Sequence, residues 1–398
     1  MTKNNRKKAV AQAISTAVAL GWVIMQVESA QAATLTVNNL NDSGVGSLRD
    51  TINTANNNDL VEFLLVSHPS TISLTSGALA IPKNLTINGP GANLLTISGN
   101  NDFPVFDINA DDVKFSGLAI AGNINAYNSS NLTFINSTIN GDNLKINNPT
   151  GEVRLINSTI NGKSSVNINT NALRLTDGSQ VRDLSNTANI GNLTISTGSL
   201  RISNGANINS EQTSNGSAGN IILKTDLLLL RRAPLTSAIA GGSNNFGVGG
   251  NISINASNGF IIAPPKELSD IAGDSNNSGA GGTVTITASG IMGTRVPEPS
   301  AIAAGNINSG AAGTLTVTAS DAITITGSDV LPTRVLEPSA IALDRNNSGA
   351  GGNITLTVSD VILLRRVPEP SAIGGSILAC SLAWLTKRNL AVFRKAKI

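Results

Sequence analysis

Cysteine is almost missing from this 398-residue chain: the single one, Cys380, lies close to its end. No internal disulfide can form, even in an oxidising compartment. Aromatic residues make up only 3%, and both tryptophans, Trp22 and Trp384, lie in the outer segments. The stretch between them must hold together without disulfides, and the expectation is a core without large aromatic pieces. His68 is the only histidine. It has no evident partner in the sequence and reads as a loop residue rather than a general base. Cys/His metal clusters and cysteine nucleophiles are absent, as is any GGxGxDx run of a calcium nonapeptide array. No cofactor is expected.

Charge is unevenly spread. The formal charge is +2, but the basic residues crowd the two ends: Lys3, Arg6, Lys7 and Lys8 at one, Lys387, Arg388, Arg394, Lys395 and Lys397 at the other. The stretch between is net acidic. With few aromatics as well, it lacks the basic patches and stacking rings of a nucleic-acid surface, so nucleic acid is not an expected partner.

What is present in the middle is repetition. The heptapeptide INSTING occurs at 135–141 and 156–162, a step of 21 residues. Further on, a small-residue turn and an alternating strand recur as SAGNIIL (217–223), VGGNISI (248–254), AGGTVTI (280–286), AAGTLTV (311–317) and AGGNITL (350–356). Apolar residues alternate in each: Ile252 and Ile254, Val284 and Ile286, Leu315 and Val317, Ile354 and Leu356. A period of two gives a strand with one buried face, and each strand is too short to bury that face alone. Stacked units would join equivalent residues into apolar ladders. Glycine-rich corners would supply the positive-φ bends of a tight coil.

The earlier half repeats less regularly, through KNLTING (83–89), SNLTFINSTING (130–141), GEVRLINSTING (151–162) and GNLTISTGSLRISNGANI (191–208). An antiparallel β-sandwich also contains many short alternating strands, but fixed-period self-similarity favours a solenoid. The expected fold class is all-β, a right-handed parallel β-helix. At about 25 residues per coil it would have about 14 coils, and at ~4.8 Å per rung a length of roughly 65 Å.

Two stretches carry a family likeness. GSLRISNGANINS (198–210), with the GGNISINA-type strands after it, resembles the repeats of filamentous-haemagglutinin-like exoproteins. SGVGSLRDTINTANNND (43–59) resembles the start of secreted right-handed β-helix proteins with a "CSLREAI"-type motif. Ser47, Leu48, Arg49, Asp50 and Ile52 match it, and Gly46 stands where that motif has cysteine.

The ends read as addresses. The basic patch at residues 3–8 is followed by an apolar stretch and by Ala30-Gln31-Ala32, the pattern of a secretory signal peptide; signal peptidase would cut between Ala32 and Ala33. An ordinary first helix is the structural alternative. Near the other end, Val367-Pro368-Glu369-Pro370 precedes the apolar run AIGGSILACSLAWL and then Lys387-Arg388. This order resembles a PEP-CTERM sorting signal. The resemblance implies a helix held in the inner membrane and processing by an exosortase. Prolines keep the recognition strip extended, and the basic cluster stays on the cytoplasmic side. The apolar run is shorter than the roughly 20 residues of a comfortable span, which snorkelling and the residues after it would extend. A terminal helix capping the solenoid is the alternative.

The octapeptide RVPEPSAI of this tail (366–373) also occurs at 295–302, with a near copy, RVLEPSAI, at 334–341. Neither interior copy precedes an apolar run, so both read as loops leading into the next repeat strand. The chain thus divides into a signal segment (1–32), irregular shorter coils (33–210), longer repeats (211–364) and a sorting and anchor segment (365–398).

Parallel β-helices also host polysaccharide lyases and glycosidases, which need converging carboxylates and a base. The best acidic cluster is Asp107, Asp111 and Asp112 beside Lys114, and adjacent acids at a turn are usually solvated. Three functions follow: a non-enzymatic exported rod for adhesion or extracellular matrix, a carbohydrate-active enzyme, or a passive binder of extracellular polysaccharide. The first accounts for both ends and the repeats.

Overall fold

The computed structural model describes residues 32–127, 131–184 and 191–210, and beyond these the strands up to Val367 with a few neighbouring residues. The segments expected to be a signal helix and an anchor helix lie outside the described residues. The described residues from Thr34 onward form one compact unit. Among the described residues no helix is long and apolar enough to cross a membrane.

Among the described residues 28 strands pair in parallel at every junction, which excludes an antiparallel sandwich. They fall on three faces, and the chain visits these in turn. Leu85–Asn88 lies on the first, Leu95–Ser98 on the second and Phe106–Ile108 on the third. Asp112–Ser116 then returns to the first, directly beside Leu85–Asn88. The extended stretch Thr138–Ile156 serves all three faces, with register shifts at Gly141/Asn143 and Asn148/Glu152 where it turns the corners. The protein is a three-sided parallel β-helix. Its first face runs through thirteen rungs, from Thr34–Val37 to Val361–Val367, about 60 Å at the usual strand spacing and close to the expected length.

Side chains of one sheet face point inward at every second position, so in-register stacking makes continuous apolar columns. On the second face Ile72, Ile97, Ile120, Ile139 and Ile160 stack in successive rungs, followed by Val181, Ile208, Ile239 and Ile271, all buried. On the third, Ile252, Val284 and Leu315 are buried in one column, and Ile354 continues its register. Full burial of each such side chain stabilises the fold by about 1.5–3 kcal/mol.

Three expectations are corrected. The core does contain large aromatic pieces: Phe106, Phe115, Phe134 and Phe260 are fully buried, and the rings of Phe115 and Phe134 stack with centroids 5.2 Å apart. Phe115 and Phe134 stand in register on the first face, and the Phe106 ring of the third face lies 4.7 Å from that of Phe115. Among the described residues of the small-residue turns, Gly219 and Gly250 serve close approach rather than positive φ. A Cβ on Gly219 would run into the carbonyl of Gly191, and one on Gly250 into that of Gly219. Where the first face turns into the second, left-handed backbone falls to Asn136, Asn157, Asp177 and Asn204 together with Gly117, Gly178 and Gly205. Last, the interior octapeptides are not loops throughout. Their final residues form strands of the second face, Ala301–Ala303 and Ala340–Ala342, with Ile302 beside Ile341. Three-residue strands are too short to show a period of two in the sequence.

The beginning of the coil carries the one α-helix among the described residues, Leu48–Thr54. Ser47 caps it by accepting from the Asp50 amide, and Leu48 and Ile52 turn inward and are buried. Arg49 donates to the carbonyls of Gly77 and Ala78 at 2.7 and 2.8 Å, and to Asp42. Ser47, Leu48, Arg49 and Ile52 thus hold the helix against the start of the coil.

Candidate functional site

The two INSTING copies show how each rung builds its outer surface. The leading isoleucine ends a strand of the first face. Asn136 and Asn157 then take left-handed backbone, and the Asn157 amide donates to Asn136 Oδ1 at 2.8 Å. Ser137 and Ser158 turn inward: Ser158 Oγ donates to the Ile156 carbonyl at 2.9 Å and accepts from the Ser137 amide at 3.1 Å. The buried backbone of the corner is thus satisfied by the serine of the next rung. Thr138 and Thr159 point outward, Ile139 and Ile160 inward, and the Asn161 amide donates to Asn140 at 2.9 Å. The heptapeptide contains one turn residue, one corner bond, one core residue and two ladder amides.

Polar ladders continue on the third face. Asn169 donates to Asn147 at 3.0 Å, and Asn125 to Asp107 at 3.0 Å. In the later coils Thr285, Thr316 and Thr355 occupy one outward column, and Thr287, Thr318 and Thr357 the next. A shallow groove of about 500 Å³ runs along the corner of the INSTING rungs, lined by Gly91, Asn93, Asn136, Thr138, Asn157 and Thr159.

The acidic cluster read from the sequence does not converge. Asp107 lies on the third face, bonded to Asn125, whereas Asp112 and Lys114 are exposed on the first and Asp111 is exposed at the corner between. His68 is exposed and a full coil face away, its Nδ1 at 3.4 Å from the Leu94 carbonyl. Among the described residues no group of three or more His, Cys, Asp or Glu stands close enough to hold a metal ion. Ala32 and Ala33 are exposed and without regular structure. Val367 ends the last strand of the first face, while Pro368, Glu369, Pro370, Lys387 and Arg388 lie outside the described residues. Compared with known proteins, the chain matches no family model, no curated protein and no solved structure.

Proposed function

We propose that this chain is an exported, non-enzymatic protein of the cell surface or extracellular matrix. Signal peptidase releases it at Ala32–Ala33. The tail from Val367-Pro368-Glu369-Pro370 to Lys387-Arg388 then holds it at the inner membrane for an exosortase. On this reading the coil is right-handed, as in the secreted β-helix proteins it resembles. The observation that supports the proposal is the outer surface of the rod. Rung after rung presents Asn, Ser and Thr in register, while the acids that would mark a catalytic centre are dispersed over different faces. A rod of this kind works by length and repetition rather than by one site.

Cell fractionation with sequencing of both ends of the mature chain tests this. The expected product begins at Ala33, lacks the tail and is found outside the inner membrane. A full-length chain in the cytoplasm would overturn it. The in-register Asn and Thr columns favour passive polysaccharide binding as the second reading, because they offer donors and acceptors at a constant interval along the axis.

A further inference from the structure

On the outward side of the first face, Arg154, Arg174 and Arg201 stand in three consecutive rungs of one column. Lys114 occupies the same column above them, separated by Thr133 alone. Below Arg201 the column turns apolar, through Leu229 and Ile261. Like charges opposite one another in neighbouring strands repel, and nothing in the fold requires arginine at an outward position. Glu152 relieves part of the repulsion: its Oε1 accepts from Arg154 at 3.0 Å and from Arg174 at 2.9 Å. One carboxylate thus serves two guanidinium groups, and the column keeps a net positive charge in a stretch that is otherwise acidic. Arg154 and Arg174 side chains are 44% and 46% exposed, so both can reach a ligand.

We propose that this arginine column binds an acidic polysaccharide, a chain carrying one carboxylate on each sugar, laid along the rod axis. This rests on the surface-rod reading above and names its partner. A guanidinium presents two donors in a plane that matches a carboxylate. Successive rungs repeat at ~4.8 Å, so the column offers a cation at intervals on the scale of a single sugar unit. Thr176, Ser199 and Ser203, two positions along the same strands, supply neutral donors for hydroxyl groups. Isolated salt-bridging arginines would have no reason to keep register over three rungs; a linear polyanion gives one.

The test is binding of the purified mature chain to polygalacturonate, with dextran as the neutral control and single-stranded DNA as a second polyanion. The expected result is retention on polygalacturonate, none on dextran, and release as salt rises. Arg174→Gln with Arg201→Gln should weaken binding about tenfold, while Lys224→Gln on the third face changes it less than twofold. Arg174→Lys with Arg201→Lys, which keeps the charge, should retain part of the affinity. Equal binding to dextran, insensitivity to the double glutamine change, or tighter binding to DNA would each overturn the proposal. If the glutamine variant does not fold, the salt and dextran arms on the parent chain decide. An exported chain that holds no polygalacturonate overturns the arginine column alone, whereas a cytoplasmic chain overturns the surface reading whatever it binds.

Discussion

Arg49 Nη2 stands 2.7 Å from Asp42 Oδ1, and the other oxygen of the same carboxylate accepts from the amides and hydroxyls of Thr75 and Ser76. One side chain therefore ties the segment before the helix, the helix itself and the loop of the next coil into one cluster. Burial by itself would raise the Asp42 carboxyl, but the bonds from Ser76, Arg49 and Thr75 together outweigh it and hold the group well below the usual carboxylate range.

Acid should consequently loosen the first coil. A carboxylate whose folded pKa is depressed contributes stability above its unfolded value, near 4, and loses it as pH falls toward the folded value. Amide exchange of residues 48–55 should rise below about pH 4 while the later rungs stay protected. Asp42→Asn should cost about 2 kcal/mol at neutral pH, through loss of charge-assisted bonds, and remove this acid dependence. Unchanged exchange of the helix in the variant would refute the role.

The inward columns predict a local rather than a global response. Ile286 is fully buried between Ile254 and Val317. Replacing it with Asp leaves a lone buried charge, which costs several kcal/mol. Solenoid stability is a sum over neighbouring units, so the loss should spread to adjacent coils first. Hydrogen exchange should show Ile252–Ala263 and Thr314–Ala319 unprotected while Leu85–Asn88 keeps its protection. Loss of protection throughout the rod would instead mean that it folds as one cooperative unit.

The corner chemistry of INSTING can be separated residue by residue. Asn157 needs left-handed backbone, at φ 47°, so Asn157→Gly should be nearly neutral and Asn157→Val should cost about 1–2 kcal/mol. Ser158→Ala removes the acceptor of the buried Ser137 amide and should cost about 1–3 kcal/mol. Denaturation of the three variants gives the order. A glycine variant as damaged as the valine one would show that the amide ladder, not the backbone, matters most.

Much of this fold was legible because its evidence is periodic. The strands around Ile252, Val284, Leu315 and Ile354 are long enough to alternate visibly, and the structure places the four in register. The later second-face strands were not legible, since Ala301–Ala303 offers a single inward residue. The helix at Leu48–Thr54 was missed too, although Ser47 followed three positions later by Asp50 is a capping signal. Nor was the arginine column visible: Arg154, Arg174 and Arg201 are unevenly spaced in the chain, and only the coil lengths bring them together.

The octapeptide RVPEPSAI gives the sharpest test of context. In its first copy the final Ala-Ile enters a strand of the second face, with Ile302 beside Ile271 and Ile341, and the chain goes on to Thr314–Ala319 of the third. In the sequence its prolines fall between Ile291–Gly293 of the first face and Ala301–Ala303 of the second. The last copy begins at the end of the first-face strand Val361–Val367, and in the sequence an apolar run and Lys387-Arg388 follow it. If the flanking sequence makes the signal, changing Pro368, Glu369 and Pro370 to Ala should leave an uncut chain at the inner membrane. The same change at Pro297, Glu298 and Pro299 should leave sorting intact, because no apolar run and basic cluster follow that copy. Membrane fractionation with an epitope upstream of residue 361 compares both triple variants with the parent. Equal mis-sorting by the interior variant would show that the string acts wherever it stands, and that the strand after it does not mask it.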